Sequence, residues 1–184
     1  NNLEYCETIS ASNPCGEQML PPYGACLLGS INLAALVEGH FTDGAQIEDE
    51  ALVSLVTTAV RFLDNVIDIS LFPLPQQEAE AKAKRRIGLG ITGLADALLF
   101  CGKPYGSDEA ADLTRHWLGL IKRSAYRASA ALAEEKGRFP DYAKKILKQP
   151  GLDALDAKTR NQIKEHGLRN GCLTSIAPTG TTSL

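Results

Sequence analysis

An amide, a thiol and a carboxylate occupy alternate positions in Ser12-Asn13-Pro14-Cys15-Gly16-Glu17-Gln18, and a second thiol, Cys26, follows shortly after. A thiol, a carboxylate and an amide brought together would have the make-up of a chemical site. Pro14 and Gly16 rule out an ordinary helix, so the stretch is a loop. In a locally extended loop alternate residues point the same way, which would let Asn13, Cys15 and Glu17 converge on one small space. Without that convergence Cys15 is a buried structural thiol, and Asn13 and Glu17 are unremarkable loop residues.

Such a loop must be carried by regular elements. Residues 6–10 read as a short strand-like lead into it, and residues 25–33 as a buried strand. Asp43-Gly44 closes the next turn. From Gln46 to about Ser70, Ile47, Leu52, Leu55, Val56, Ala59, Phe62, Leu63, Val66 and Ile67 keep helical spacing, until Pro73 and Pro75 end the run. Residues 76–86 grow basic through Lys82, Lys84, Arg85 and Arg86 and read as a solvated linker or helix end, with nucleotide-phosphate contact as the rarer alternative. Ile87 to Gly93 is a strand leading into a helix through about Phe100. Ser107 caps a longer helix whose first turn holds Asp108 and Glu109, whose core face includes Leu113, Trp117, Leu120, Ala128 and Leu132, and which stops at Gly137. Shorter helices at 140–147 and 158–166 precede a final strand at 171–176. Alternating strands and helices indicate α/β architecture.

Gly88-x-Gly90-x-x-Gly93 has the spacing of a dinucleotide-binding turn. That fingerprint requires a hydrophobic strand before its first glycine, and here Lys84, Arg85 and Arg86 stand there. It also requires an acidic residue at the end of a second strand, whereas Asp112 falls inside a helix. The glycines instead permit close strand-to-helix packing. A dinucleotide domain would bind NAD and lose it on Gly90→Val.

The chain has 184 residues, 44% of them hydrophobic, which supports a globular core. Its net charge of −3 argues against nucleic acid as a partner. The five cysteines, Cys6, Cys15, Cys26, Cys101 and Cys172, are odd in number and scattered, which fits a reduced, cytosolic protein. Neither a signal peptide nor a membrane-spanning run is expected. His40, His116 and His166 are too dispersed for a metal site.

Asn-x-Cys-x-Glu with a following cysteine in the apolar stretch Ala25 to Leu33 resembles the active-site finger loop of the ribonucleotide reductase large subunit. The likeness continues through Arg85-Arg86-Ile87-Gly88-Leu89-Gly90, then His166-Gly167-Leu168-Arg169-Asn170, then Ala177-Pro178-Thr179-Gly180-Thr181-Thr182-Ser183, which resembles the family's substrate-phosphate loop. The spelling of the first and last motifs is most similar to the adenosylcobalamin-dependent class II.

The resemblance implies a helix-rich α/β fragment of a ten-stranded barrel, with the finger loop near its N-terminus and residues 1–184 forming one piece of the barrel, truncated at both ends. It implies reduction of ribonucleoside di- or triphosphates. Cys15 would become a thiyl radical, Glu17 a general base, Asn13 a hydroxyl holder, and Cys26 one of two cysteines that deliver electrons, its partner on a strand outside this chain. Ser12 and Ala177 to Ser183 would hold substrate, the loop through backbone N–H groups and the hydroxyls of Thr179, Thr181, Thr182 and Ser183. Cys6, Cys101 and Cys172 match no motif and are expected to be structural. Implied partners are the ribonucleotide, a dithiol such as thioredoxin, the rest of the parent polypeptide and a second copy of it. Adenosylcobalamin is the implied cofactor, docking largely outside this chain, and the isolated chain is expected to be inactive. The alternatives are a class I large subunit whose radical comes from a metal-bearing subunit, and a non-catalytic α/β interaction module that kept the motif.

Overall fold

The computed structural model describes residues 1–180. Near the N-terminus β1 (Ala11–Ser12) and β2 (Met19–Leu20) form a small antiparallel hairpin, while residues 6–10 are irregular and not a strand. The central pair is β3 (Leu27–Asn32) with, much later in the chain, Ile87–Thr92, joined in parallel from Leu27 opposite Ile87 to Asn32 opposite Thr92. Between them lie the short antiparallel pair β4 (Val37–Glu38) and β5 (Gln46–Ile47), then α1 (Asp49–Ile69) and α2 (Pro75–Lys84). Ile87–Thr92 is β6, followed by α3 (Leu94–Phe100), α4 (Asp108–Lys136), α5 (Pro150–Asp153) and α6 (Ala157–His166). The expected helix at 140–147 is a 3-10 turn at Lys144–Lys148.

Side-chain alternation sorts the central pair into two faces. Ile87, Leu89 and Ile91 enter a core shared with Leu52, Val56 and Val60 of α1 and Trp117, Ile121 and Ala125 of α4. Helix α1 lies close because Gly29 carries no side chain where Leu63 packs, 3.4 Å from the position a Cβ would take. The opposite face, holding Gly88 and Gly90, is left to the hairpin and to the segment around Ser175.

The expected final strand is reduced to one bridge, Leu89 to Thr174. Ile87 N–H donates to Cys172 O and Leu89 N–H to Leu173 O, so residues two apart in β6 meet consecutive carbonyls. The segment is therefore out of step with β6, as at a bulge, and no regular ladder forms.

The basic run needs a larger correction. Residues 75–84 form helix α2, started by Pro75 at its first position and laced by the pairs Glu78–Lys82 and Glu80–Lys84. Lys84, Arg85 and Arg86 are buried, neither a solvated face nor a phosphate contact, because carboxylates wait for each of them. Arg85 leaves the helix in the left-handed region (φ 47°), and its guanidinium reaches fully buried Asp64 at 2.8 Å and Asp68 at 2.7 Å.

The His166 to Asn170 motif completes this fastening. Arg169 Nε lies 3.3 Å from Asp64 Oδ2, and its Nη1 donates to the carbonyls of Lys136 and Gly137 at the end of α4. Asn170 Nδ2 donates to Asp64 Oδ1 and Arg85 O, while its Oδ1 accepts from Ser129 Oγ. The two motifs thus tie α1, α4 and the head of β6 together. No helix among the described residues is long and apolar enough to cross a membrane.

Candidate active site

The loop is a tight turn and not an extended run. Asn13 and Gln18 continue the hairpin through the bond from Asn13 N–H to Gln18 O, 3.0 Å, and Gly16 N–H returns to Asn13 O at 3.1 Å. Asn-Pro-Cys-Gly is thereby a β-turn, with Pro14 at its second position and Gly16 in the left-handed region at φ 79°. The turn projects Cys15 into solvent at the tip, while Asn13 and Glu17 face one another below it.

Asn13 organises the site. Its Oδ1 accepts from Gln18 N–H at 3.1 Å, and its Nδ2 donates to Glu17 Oε1 at 2.6 Å. Ser12 Oγ is spent on the Asn13 carbonyl at 3.0 Å. Glu17 Oε2 is buried and has no hydrogen-bond partner among the described residues. A buried acceptor left this way is costly, and a hydroxyl donor brought to it is correspondingly favoured.

Two contacts that the sequence did not announce seat the hairpin on the sheet. Gln18 is buried against Gly88, where an added Cβ would stand 3.0 Å from Gln18 Nε2 and 2.5 Å from Leu28 Cδ2. Ser175 Oγ donates to the Glu17 carbonyl at 3.3 Å. The only sequence signal for these contacts is the pair of glycines at alternate positions of β6. Gly88 and Gly90 lie within the strand and not in a strand-to-helix turn. Their partners are a hairpin and an irregular segment, not the helix the sequence led us to expect.

Cys26 lies just before β3, close enough to Glu17 to feel its charge. Burial pushes its thiol up to about 12; Arg86 works against that rise, while Cys172 and Glu17 add to it. The expected phosphate-loop residues start two positions after Ser175. Ala177, Pro178 and Thr179 line a hollow of about 740 Å³ beyond the carboxyl ends of β3 and β6, facing Asn32, Thr92 and Gly93. Gly180 closes the described chain in a turn, and Thr181, Thr182 and Ser183 lie outside the described residues. The hairpin site and this hollow are therefore consecutive stations along one segment, residues 175–179.

Cys6 is exposed, and Cys101 and Cys172 are partly buried. Among the described residues no three His, Cys, Asp or Glu side chains gather as metal ligands.

The family model for the ribonucleotide reductase barrel domain matches residues 1–184. The chain belongs to that family. This reductase barrel segment is 43% identical over 176 residues to a vitamin B12-dependent ribonucleoside-diphosphate reductase of Mycobacterium tuberculosis (strain ATCC 25618 / H37Rv), covering 96% of the chain and 22% of the relative. It is 40% identical over 184 residues to the enzyme of the same name from Thermoplasma acidophilum, covering all of the chain and 22% of that relative. The ribonucleoside-diphosphate reductase subunit alpha of Chlamydia muridarum is 33% identical over 207 residues, 98% of the chain and 19% of its own length. The reductase segment thus spans about a fifth of the length of these curated relatives. Within it, the Arg85 and Asn170 motifs tie α1, α4 and the head of β6 together, and the hairpin is seated on β6 through Gln18 and Ser175.

Proposed function

We propose that this chain is the central piece of the catalytic barrel of an adenosylcobalamin-dependent ribonucleotide reductase, and that its parent converts ribonucleoside di- or triphosphates to 2′-deoxyribonucleotides. The observation that carries this reading is the Asn13–Glu17 hydrogen bond, which leaves Glu17 Oε2 buried and unsatisfied beneath an exposed Cys15. The names of the two B12-dependent relatives support the choice of class.

In this reading residues 1–184 are one piece of a ten-stranded barrel and the hairpin is its finger loop. The 2′-hydroxyl of a ribose is a poor leaving group, and a radical on the adjacent carbon activates it. Cys15, as a thiyl, takes the 3′-hydrogen atom and leaves a carbon radical at C3′. Glu17 accepts the 3′-hydroxyl proton while Asn13 holds the sugar hydroxyls, and the 2′-hydroxyl takes a proton from one of the two reducing thiols and departs as water. Cys26 and a second cysteine outside this chain supply two electrons and become a disulfide. Cys15 then returns its hydrogen atom to C3′ and is a thiyl again. Ser12 and residues 177–183 hold the substrate, the latter its phosphates.

The residues around the hairpin do not form a cradle for a corrin. Cys15 stands in solvent, and the hollow beneath the hairpin, lined by Glu17 and Arg86, measures only about 280 Å³. The cofactor belongs on the rest of the polypeptide in this reading, and the chain's own contribution begins at the thiol. A dithiol such as thioredoxin restores Cys26, and the parent works as a homodimer in the cytoplasm.

The test uses the full parent polypeptide with adenosylcobalamin and a dithiol, comparing wild type with Cys15→Ser. Deoxyribonucleotide formation that vanishes in the variant is the expected result. Activity that requires an added metal-bearing subunit keeps the family and overturns the class; inactivity under both conditions favours a non-catalytic module.

A further inference from the structure

Arg86 stands just before β6 and is 4% exposed, yet two of its nitrogens are turned to very different partners. Nη2 donates to Glu7 Oε2 at 2.6 Å and Nη1 to Cys172 Sγ at 3.1 Å. Glu7 is also held by Lys84, whose Nζ lies 3.2 Å from the same oxygen, and Lys84 in turn meets Glu80 at 2.6 Å. The four charges balance, and the guanidinium is fixed in place with one edge against sulfur.

The register puts a second sulfur beside it. Leu27 pairs with Ile87, and Leu27 N–H points to Arg86 O at 3.5 Å, so Cys26 and Arg86 are neighbours at the heads of adjacent parallel strands. On the other side of β6, Ile87 N–H bonds to Cys172 O. Arg86 therefore stands between Cys26 and Cys172. Those two thiols are separated by an intervening strand, so their Cα atoms are about twice the strand spacing of about 4.8 Å apart, too far for a disulfide without backbone movement. Cys172 is placed to hold the guanidinium, not to pair with Cys26.

We propose that Arg86 is a positioning residue for Cys26: a fixed cation, oriented by Glu7 and Cys172, that carries Cys26 through its thiolate when its disulfide is re-reduced. This rests on the reading of Cys26 as a reducing thiol. In that step a thiolate of the external dithiol attacks the sulfur of Cys26's partner, the Cys26–partner bond breaks, and Cys26 leaves with the electron pair. The second thiolate of the reductant then resolves the mixed disulfide, and Cys26 takes a proton. A thiolate leaving group departs faster the lower its pKa. Of the described groups around Cys26, burial, Cys172 and the Glu17 carboxylate oppose its thiolate, and Arg86 favours it. An arginine serves because it stays charged even when buried.

The experiment uses the full parent enzyme in wild type, Arg86→Met, Arg86→Lys and Cys26→Ser forms. The pre-reduced enzyme completes one turnover, and re-reduction by dithiothreitol is then followed across pH 6 to 9. In Arg86→Met we expect re-reduction at least about fivefold slower relative to the first turnover, with its pH profile displaced upward, and Arg86→Lys to recover much of the rate because it restores the charge. Should Arg86→Met not fold, Arg86→Gln, which keeps a hydrogen bond to Glu7 without the charge, is read in the same way. An unchanged rate and pH profile in the neutral variant overturns the role of Arg86. Multiple turnover surviving in Cys26→Ser overturns the reading of Cys26 itself, and is seen separately.

Discussion

The Cβ that Gly90 lacks would stand 2.3 Å from the main-chain oxygen of Ser175, well inside contact distance, so strand and segment meet backbone to backbone. No side chain rotates out of such a clash. Gly90→Ala should therefore displace residues 173–176 from β6 and cost about 1–3 kcal/mol. Urea unfolding measures the loss, and amide exchange at Ser175, whose N–H bonds to Leu89 O, reports its location. Wild-type protection at Ser175 in the variant would refute the contact. Because Ser175 also holds the Glu17 carbonyl and leads into residues 177–179, the parent enzyme should show a raised KM in the same variant.

Asp64 is the anion on which two arginines and an asparagine converge with no solvent access. Asp64→Asn leaves Arg169 and one edge of Arg85 without a counter-charge, which in a buried setting costs about 3–5 kcal/mol. The cost should appear as a lower urea midpoint with the m-value unchanged. A loss below about 1 kcal/mol would mean that Asp68 alone satisfies Arg85.

These fastenings show where the sequence was legible and where it was not. Helix α1 was expected at Gln46 to about Ser70 and runs Asp49–Ile69; α4 starts at its Ser107 cap, whose Oγ accepts from Ala110 N–H, and stops at Gly137. Both have long apolar periodicity and local stop signals. The basic run at 82–86 misled because local composition is silent about Glu7 and Asp64, which lie far away in sequence and turn a polar stretch into a buried one. The hairpin was masked by the same limit. Asn-Pro-Cys-Gly reads equally as an extended loop until Met19–Leu20 pairs back on Ala11–Ser12. The chemical residue types around Cys15 were plain, but the seating by Gln18 and Ser175 depends on two strand glycines whose partners no local pattern names.

Glu17 is held on one side by Asn13, with Oε2 left over. Glu17→Gln keeps the shape and the hydrogen-bonding capacity but removes the base, so kcat of the parent enzyme should fall by about 10²–10⁴ with little change in stability. Asn13→Ala should lower activity less if Glu17 keeps its orientation. A Glu17→Gln enzyme with wild-type kcat would remove Glu17 from the mechanism.

Asp156 caps α6, accepting from Thr159 Oγ1 at 2.7 Å and Thr159 N–H at 3.0 Å. The Thr159 hydroxyl first, then its N–H and Arg127, draw the carboxyl down from 3.8 to about 2. A depressed folded-state value means that the stabilisation is complete above the unfolded value near 4 and is lost as pH falls through about 2. Asp156→Ala should cost about 1 kcal/mol at neutral pH, and the gap between variant and wild type should close between pH 4 and 2. A gap that stays constant down to pH 2 would show that the capping bonds do not depend on the charge.

Cys15 and Cys26 should separate cleanly by reactivity, because the turn exposes one, while the other is half-buried at the strand head with its thiol pushed up to about 12. Alkylation requires thiolate, and a thiol pushed up to about 12 holds on the order of one part in 10⁴ as thiolate at pH 8. Iodoacetamide at pH 8, followed by peptide mass mapping, should label Cys15 first and Cys26 at least about 100-fold more slowly, and partial unfolding in urea should erase the difference. In the parent enzyme a bound ribonucleotide should protect Cys15, since a sugar seated on Asn13 and Glu17 stands directly below the turn. Rapid labelling of Cys26 in the folded chain would contradict the raised value of its thiol. Cys15 labelling that no ribonucleotide slows would leave the hairpin as a structural turn and take from the reductase reading its reactive sulfur.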